Sequence, residues 1–178
     1  MRTPIWKVYI GSDAMEVPGD PSTNAVIGFG QSDVYIDNTN YTTYRLVVNK
    51  GQIANSYERY FKIKFDNSDT TTVTEAKLYF TGSLANGAHL RLRTSSTYSA
   101  PSRTLMSSDI TRATFGYPGS SNEIVQSNPA TWLNVPVHQE GNIYVTDYII
   151  AQLVIDGNVI STLNVFNNLQ FVLWYKEE

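Results

Sequence analysis

At 178 residues the chain is long enough for one compact domain with a sizeable core. Only 16% of its residues are charged, against roughly 25% in ordinary soluble domains, and the net charge of -3 provides no general attraction to nucleic acid. Cysteine is absent, which excludes disulfides, thiolate metal sites and cysteine nucleophiles together. No apolar run approaches the ~18 residues of a membrane-spanning helix, and the opening Met1-Arg2-Thr3-Pro4-Ile5-Trp6 lacks the apolar stretch of a secretory signal.

Residues 5–10 read as a first strand, followed over 11–23 by a turn-rich segment holding Pro18, Gly19, Asp20 and Pro21. Short strands are predicted at 24–29 and 34–36, joined through Gly30-Gln31-Ser32, with a turn at 37–40 and a further strand at 44–48. The patterning of residues 1–50 is poor. They are predicted to form an N-terminal β arm that adds a strand elsewhere, a neighbouring copy included.

From residue 57 the signal strengthens. Phe61-Lys62-Ile63-Lys64-Phe65 sets three apolar side chains on one face and two lysines on the other, and His89-Leu90-Arg91-Leu92-Arg93 repeats the arrangement. Strands are predicted at 57–65, 73–80, 88–94, 132–137, 144–155, 159–165 and 169–175. Asp66-Asn67-Ser68-Asp69 and Asp156-Gly157-Asn158 read as turns, and residues 95–130 as a long Ser- and Pro-rich segment with at most one helical turn, at 107–114. Period-two patterning, frequent turns and almost no helix describe an all-β protein, a two-sheet β-sandwich of jelly-roll type spanning residues 51–178 behind the arm.

Candidate chemistry is sparse. His89 shares a face with Arg91 and Arg93, which predicts a wet surface position, and His138 falls at a strand end. No Gly-x-Ser-x-Gly elbow presents a nucleophile to either. Glu58, Glu75, Glu123 and Asp147 lie in or near predicted strands and are the carboxylates considered for a glycosidase pair; Glu75 alternates with Lys77 and Tyr79 on the polar face of its strand, where an exposed cross-strand ion pair accounts for it. The Asp66 and Asp37 turns are oxygen-rich but lack the spacing of a calcium loop. Gly28-Phe29-Gly30 lacks the third glycine of a nucleotide fingerprint. Arg91, Arg93, Lys62 and Lys64 would form a small basic patch if their strands were neighbours. The aromatic residues Tyr98, Tyr117 and Trp132 are the candidate contacts for a protein or glycan partner, because flat rings serve both. No catalytic residue, cofactor or metal site is predicted.

Three stretches carry a family resemblance: Tyr60-Phe61-Lys62-Ile63-Lys64-Phe65-Asp66-Asn67, Tyr148-Ile149-Ile150-Ala151-Gln152-Leu153-Val154-Ile155, and Phe171-Val172-Leu173-Trp174-Tyr175-Lys176-Glu177-Glu178. Over residues 57–178 the chain resembles the small, cysteine-free, Thr/Asn-rich β-sandwich accessory proteins of tailed-bacteriophage virions, which decorate heads or build tail and baseplate surfaces. The resemblance implies a non-enzymatic virion structural protein made in a host cytoplasm. The expected role is capsid decoration by a homo-oligomer, with a trimer expected, docked on a major capsid or other virion protein, with no nucleic acid and no membrane contact. The alternatives are a tail, neck or baseplate position and, from a different class, a carbohydrate-binding module.

Overall fold

The computed structural model describes residues 1–17, 28–36, 39–84, 87–106, 110–112, 124, 127–158 and 166–178. The strands are β1 (Pro4–Ile10), β2 (Met15–Glu16), β3 (Ile53–Asn55), β4 (Arg59–Phe65), β5 (Val73–Leu84), β6 (Ala88–Ser95), β7 (Ile110–Arg112), β8 (Leu133–Asn134), β9 (Val137–Glu140), β10 (Ile143–Thr146), β11 (Tyr148–Asp156) and β12 (Phe166–Glu177). They form two antiparallel sheets. The larger has nine strands along the path β2-β1-β4-β11-β6-β7, with β3 joined to β11 and β10 to β4 and β9; the smaller runs β12-β5-β8. The chain is an all-β sandwich, as its alternation predicts.

The core lies between the sheets. Phe61, Ile63 and Phe65 of β4, Leu90 and Leu92 of β6, and Ile149, Ala151, Leu153 and Ile155 of β11 meet Val73, Ala76, Leu78 and Leu133 of the small sheet. Phe171 of β12 reaches Phe61 edge to face at 5.3 Å, and Tyr175 reaches Phe65 at 5.1 Å. Lys62 and Lys64 point to the other face of β4, as the alternation requires.

That other face is not bare. A second cluster of Tyr9, Tyr60, Ile150 and Met106 covers it, with Tyr98 and Tyr148 alongside. Residues 98–106, within the segment expected to be unstructured, fold back across the large sheet as a strap. Its fastening is a buried glutamine at the centre of β11: Gln152 Oε1 accepts from the Met106 N–H at 2.8 Å, and Nε2 donates to Ser56 O at 3.0 Å and Thr104 O at 2.9 Å. Glu58 and Ser102 bond reciprocally, backbone N–H to carbonyl at 3.0 Å and Ser102 N–H to carboxylate at 3.2 Å. The near-continuous apolar run of β11 has its reason here. The strand is covered on both sides, and seven of its nine residues are buried.

β1, within the segment expected to act as an arm, pairs with β4 of its own chain from Pro4↔Phe65 to Tyr9↔Tyr60. Its residues alternate weakly because Val8 feeds the inter-sheet core while Tyr9 feeds the outer cluster. Just ahead of it, Arg2 is buried and donates to three carbonyls, Asp66 O at 2.6 Å, Thr71 O at 2.7 Å and Asn142 O at 3.4 Å, tying the 66–71 turn to the β9–β10 turn. Arg2→Ala leaves those carbonyls without their charged donor and is expected to cost about 2–3 kcal/mol. Urea denaturation measures it; a change under about 0.5 kcal/mol would place Arg2 among ordinary surface residues.

Three local expectations differ from the structure. Residues 41–44 form a single helical turn, and of the strand predicted at 44–48 there is only an isolated bridge from Arg45 to Gly30. The contact is so close that a Cβ at residue 30 would lie 2.1 Å from Tyr44 O, so only glycine fits. The predicted 132–137 strand splits between β8 in one sheet and β9 in the other, because Pro136 has no N–H to continue a ladder. Residues 110–112 pair with β6 as β7. Most of the strand predicted at 24–29, the strand predicted at 159–165, most of the predicted 107–114 turn, and Tyr117 lie outside the described residues.

Candidate partner-binding face

The outer face of the small sheet is assembled from three strands in register. β5 pairs with β12 through Tyr79↔Val172 and Lys77↔Trp174, and with β8 through Lys77↔Asn134. Because Leu78, Leu133 and Leu173 turn inward, their neighbours turn outward, so Asn134, Lys77 and Trp174 form one row across the sheet. Tyr79 and Val172 lie in the next row, with Trp132 stacked on Tyr79 at 4.4 Å and an interplanar angle of 19°. Trp132 enters from a 3₁₀ turn over Pro129–Thr131, capped by Asn128, whose Oδ1 accepts from the Ala130 N–H at 3.2 Å.

The face carries two indoles, a phenol ring and a valine, with Lys77, Glu75 and Lys176 in the neighbouring positions. Trp174 is 39% exposed, and the Lys77 ammonium lies 5.5 Å from its ring while pairing with Glu75 at 2.7 Å. Trp132 therefore belongs to this face. Tyr98 does not: it packs against Tyr60 at 4.6 Å and Tyr148 at 5.5 Å on the opposite side of the sandwich, and its hydroxyl donates to Gly11 O at 2.6 Å. Burial raises the Tyr98 phenol well above its ordinary value, with Asp33 and the neighbouring tyrosines adding to the effect. It is a packing residue. Tyr79, Val172 and Trp174 escape a reading based on loop aromatics, because they sit inside strands whose alternate residues are core. Splitting the 169–175 run by parity is the signal that finds them.

The charged candidates resolve into pairs. β11 lies between β4 and β6, so Lys62 and Lys64 are separated from Arg91 and Arg93, and the basic patch does not form. Lys64 and Lys7 both bind Glu16, at 2.8 and 2.9 Å, and Arg93 binds Glu58 at 3.3 Å. Burial opposes ionisation of Glu16, but its two lysine partners outweigh that and hold the carboxyl below the usual range. Lys62 sits 4.3 Å from the Tyr148 ring centroid. The glycosidase carboxylates are dispersed: Glu58 under the strap, Glu75 on the small sheet, Asp147 beside His138, and Glu123 outside the described residues. His138 places Nε2 3.0 Å from Glu140 and Nδ1 3.5 Å from Asp147, so both ring nitrogens face carboxylates rather than a hydroxyl nucleophile. The Asp66 carboxylate already accepts from Thr3 N, Ser68 N and Ser68 Oγ, the chemistry of a turn and not of a calcium loop. Among the described residues no three His, Asp or Glu side chains are grouped to hold a metal.

His89 overturns its predicted wet position. It is 3% exposed, on the outer face of β6 opposite Val154, and burial, aided by the Arg91 charge, lowers its pKa to about 4. The unfolded chain, with His89 near 6.5, binds this proton more readily, so the folded state loses stability as pH falls from about 6.5 towards 4. Carboxylates titrate in part of the same range, so the prediction is comparative. Urea midpoints at pH 7 and pH 5 should differ more for the wild type than for His89→Gln, and equal differences would contradict it.

Set against known proteins, the chain matches no family model, no curated protein and no solved structure.

Proposed function

We propose that the chain is a non-enzymatic virion structural protein, with capsid decoration the leading role, acting through contacts with further copies of itself and with a capsid or other virion protein. The observation that carries the assembly reading is the outer face of the small sheet. Trp132, Tyr79, Val172 and Trp174 occupy adjacent positions there, Trp174 exposed and the other three half-buried, bordered by Lys77, Glu75 and Lys176; aromatic residues in such a cluster are enriched at interface centres. The virion placement rests on the resemblance of residues 60–67, 148–155 and 171–178 to phage accessory proteins. Tail, neck or baseplate positions would use the same surface.

The test is the absolute mass of the purified chain in solution, by light scattering behind a sizing column. A closed oligomer is the expected result. A monomer at every concentration, together with particles from the source culture that an antibody to the chain fails to label, would remove the reading.

One feature favours a carbohydrate-binding alternative. Trp174, 39% exposed, presents an indole beside the stacked Trp132–Tyr79 pair, the kind of ring that covers a pyranose face. Affinity electrophoresis in soluble glycans separates the two, since retardation abolished by Trp174→Ala supports glycan binding and unchanged mobility supports a protein partner.

A further inference from the structure

The sheet edges of this protein are unequal. Among the described residues, β2, β3, β7, β8 and β9 are the short edge strands, of 2, 3, 3, 2 and 4 residues, and β9 carries His138 and Glu140. These are the ordinary means by which proteins blunt exposed edges: brevity and charge, with Pro136 following β8. β12 has 12 residues and, among the described residues, pairs only with β5. From Phe166 to Tyr175 it contains no charged residue and no proline. Its ladder with β5 is regular from Gln170 to Lys176, bounded by register shifts at Asn167/Gln170 and Lys176/Glu177. A long, uncharged edge is a template for another strand.

We infer that β12 pairs antiparallel with β12 of a second copy about a two-fold axis at Leu173, joining two small sheets into one continuous sheet. The inference rests on the self-assembly reading above and specifies its interface. Three observations select this occupant. Among the described strands β12 is the longest with one side unpaired along its whole length; the open stretches left on β5 beyond β8 and on β1 beyond β2 are shorter, so within a homo-oligomer the strand's best-matched complement is itself.

Centring on Leu173 also matches Gln170 with Lys176 and so uses the whole regular ladder without a bulge. It places Phe171 opposite Tyr175 on the inner face and Val172 opposite Trp174 on the outer face, aromatic and β-branched pairs of the kind that stabilise antiparallel sheets. Finally, the antiparallel arrangement sends Lys176 and Glu177 of the two copies to opposite ends, whereas a parallel one would set like charges side by side. The unit is then a two-fold dimer, and a three-fold assembly would be built from such dimers. The aromatic clusters of the two copies become continuous across the axis through Val172 and Trp174.

A charge exchange tests pairing and register together. Wild-type protein should scatter as a multiple of two chains. Val172→Lys/Trp174→Lys places lysine opposite lysine twice and should halve that mass. Val172→Lys/Trp174→Glu places lysine opposite glutamate twice and should restore it, which a register centred on residue 172 or 174 would not do. Thermal melts check that both variants fold. Amide hydrogen exchange of the wild type gives a variant-free measure: amides within 170–176 should gain protection as concentration rises.

An oligomer unaffected by the double lysine substitution, with no concentration-dependent protection in β12, would overturn the edge pairing while leaving self-assembly intact. A wild type that is monomeric throughout would overturn both. β12 protection that appears only on adding another virion protein would show that the edge takes a foreign strand and not its own.

Discussion

Phe61→Ala is expected to lower the free energy of unfolding by about 3–5 kcal/mol, the range for truncating a fully buried ring. The ring is inaccessible to solvent and touches both sheets: it meets Phe171 of β12 edge to face at 5.3 Å and Trp6 of β1 at 5.7 Å. β4 is hydrogen-bonded to β1 on one side and β11 on the other, so the backbone cannot relax into the vacated space without breaking two ladders. The cavity therefore persists, and its cost adds to the lost transfer energy. Denaturant unfolding measures the loss. A value below about 0.5 kcal/mol would mean that Phe61 does not carry the inter-sheet contact. Combining it with Phe171→Ala in a double-mutant cycle should reveal a coupling of about 0.5–1.5 kcal/mol for the ring pair.

Gln152→Leu is the second large effect, and it works through polar rather than apolar loss. The side chain is fully buried and uses its amide for three bonds, to Met106 N–H, Ser56 O and Thr104 O. Leucine has nearly the same volume but none of the bonding capacity. The Met106 N–H and Ser56 carbonyl are left in a site where water cannot replace the amide, each at about 1–3 kcal/mol, so a total near 3–4 kcal/mol is expected. The effect should also be localised. Amides of residues 102–106 should exchange faster by more than the global loss explains, because the strap is released before the sandwich unfolds. Unchanged protection there would mean that the Tyr98 and Glu58 contacts, with the bonds between Arg103 and Asn55, hold the strap without Gln152.

Much of the sandwich is legible in the residues. Phe61, Ile63 and Phe65 face the core, Lys62 and Lys64 face away, and β4, β5, β6 and β12 lie close to where alternation predicts them. Departures occur where a strand carries buried residues on both faces. Tyr60 and Ile150 look like misplaced apolar residues until the strap over them is seen, and His89 looks wet because its neighbours on that face are arginines. Of the aromatic candidates, Trp132 lies on the outer face of the small sheet, half-buried against Tyr79, and Tyr98 lies in the cluster on the opposite side of the sandwich.

The alternation of side chains is a local property, because the pleat places residues i and i+2 on one face whatever the rest of the chain does. The sequence by itself therefore determined the all-β class, the inward faces of the main strands and the absence of any disulfide. Whether an outward face is wet, strapped or open to a partner depends on which distant segment returns to cover it. That was decided by contacts such as Gln152 with Met106 and Tyr98 with Gly11, 46 and 87 residues apart. Strand neighbours were likewise decided only in three dimensions. Those pairings covered the middle of the large sheet on both faces and left the small sheet presenting Trp174 and the long edge of β12.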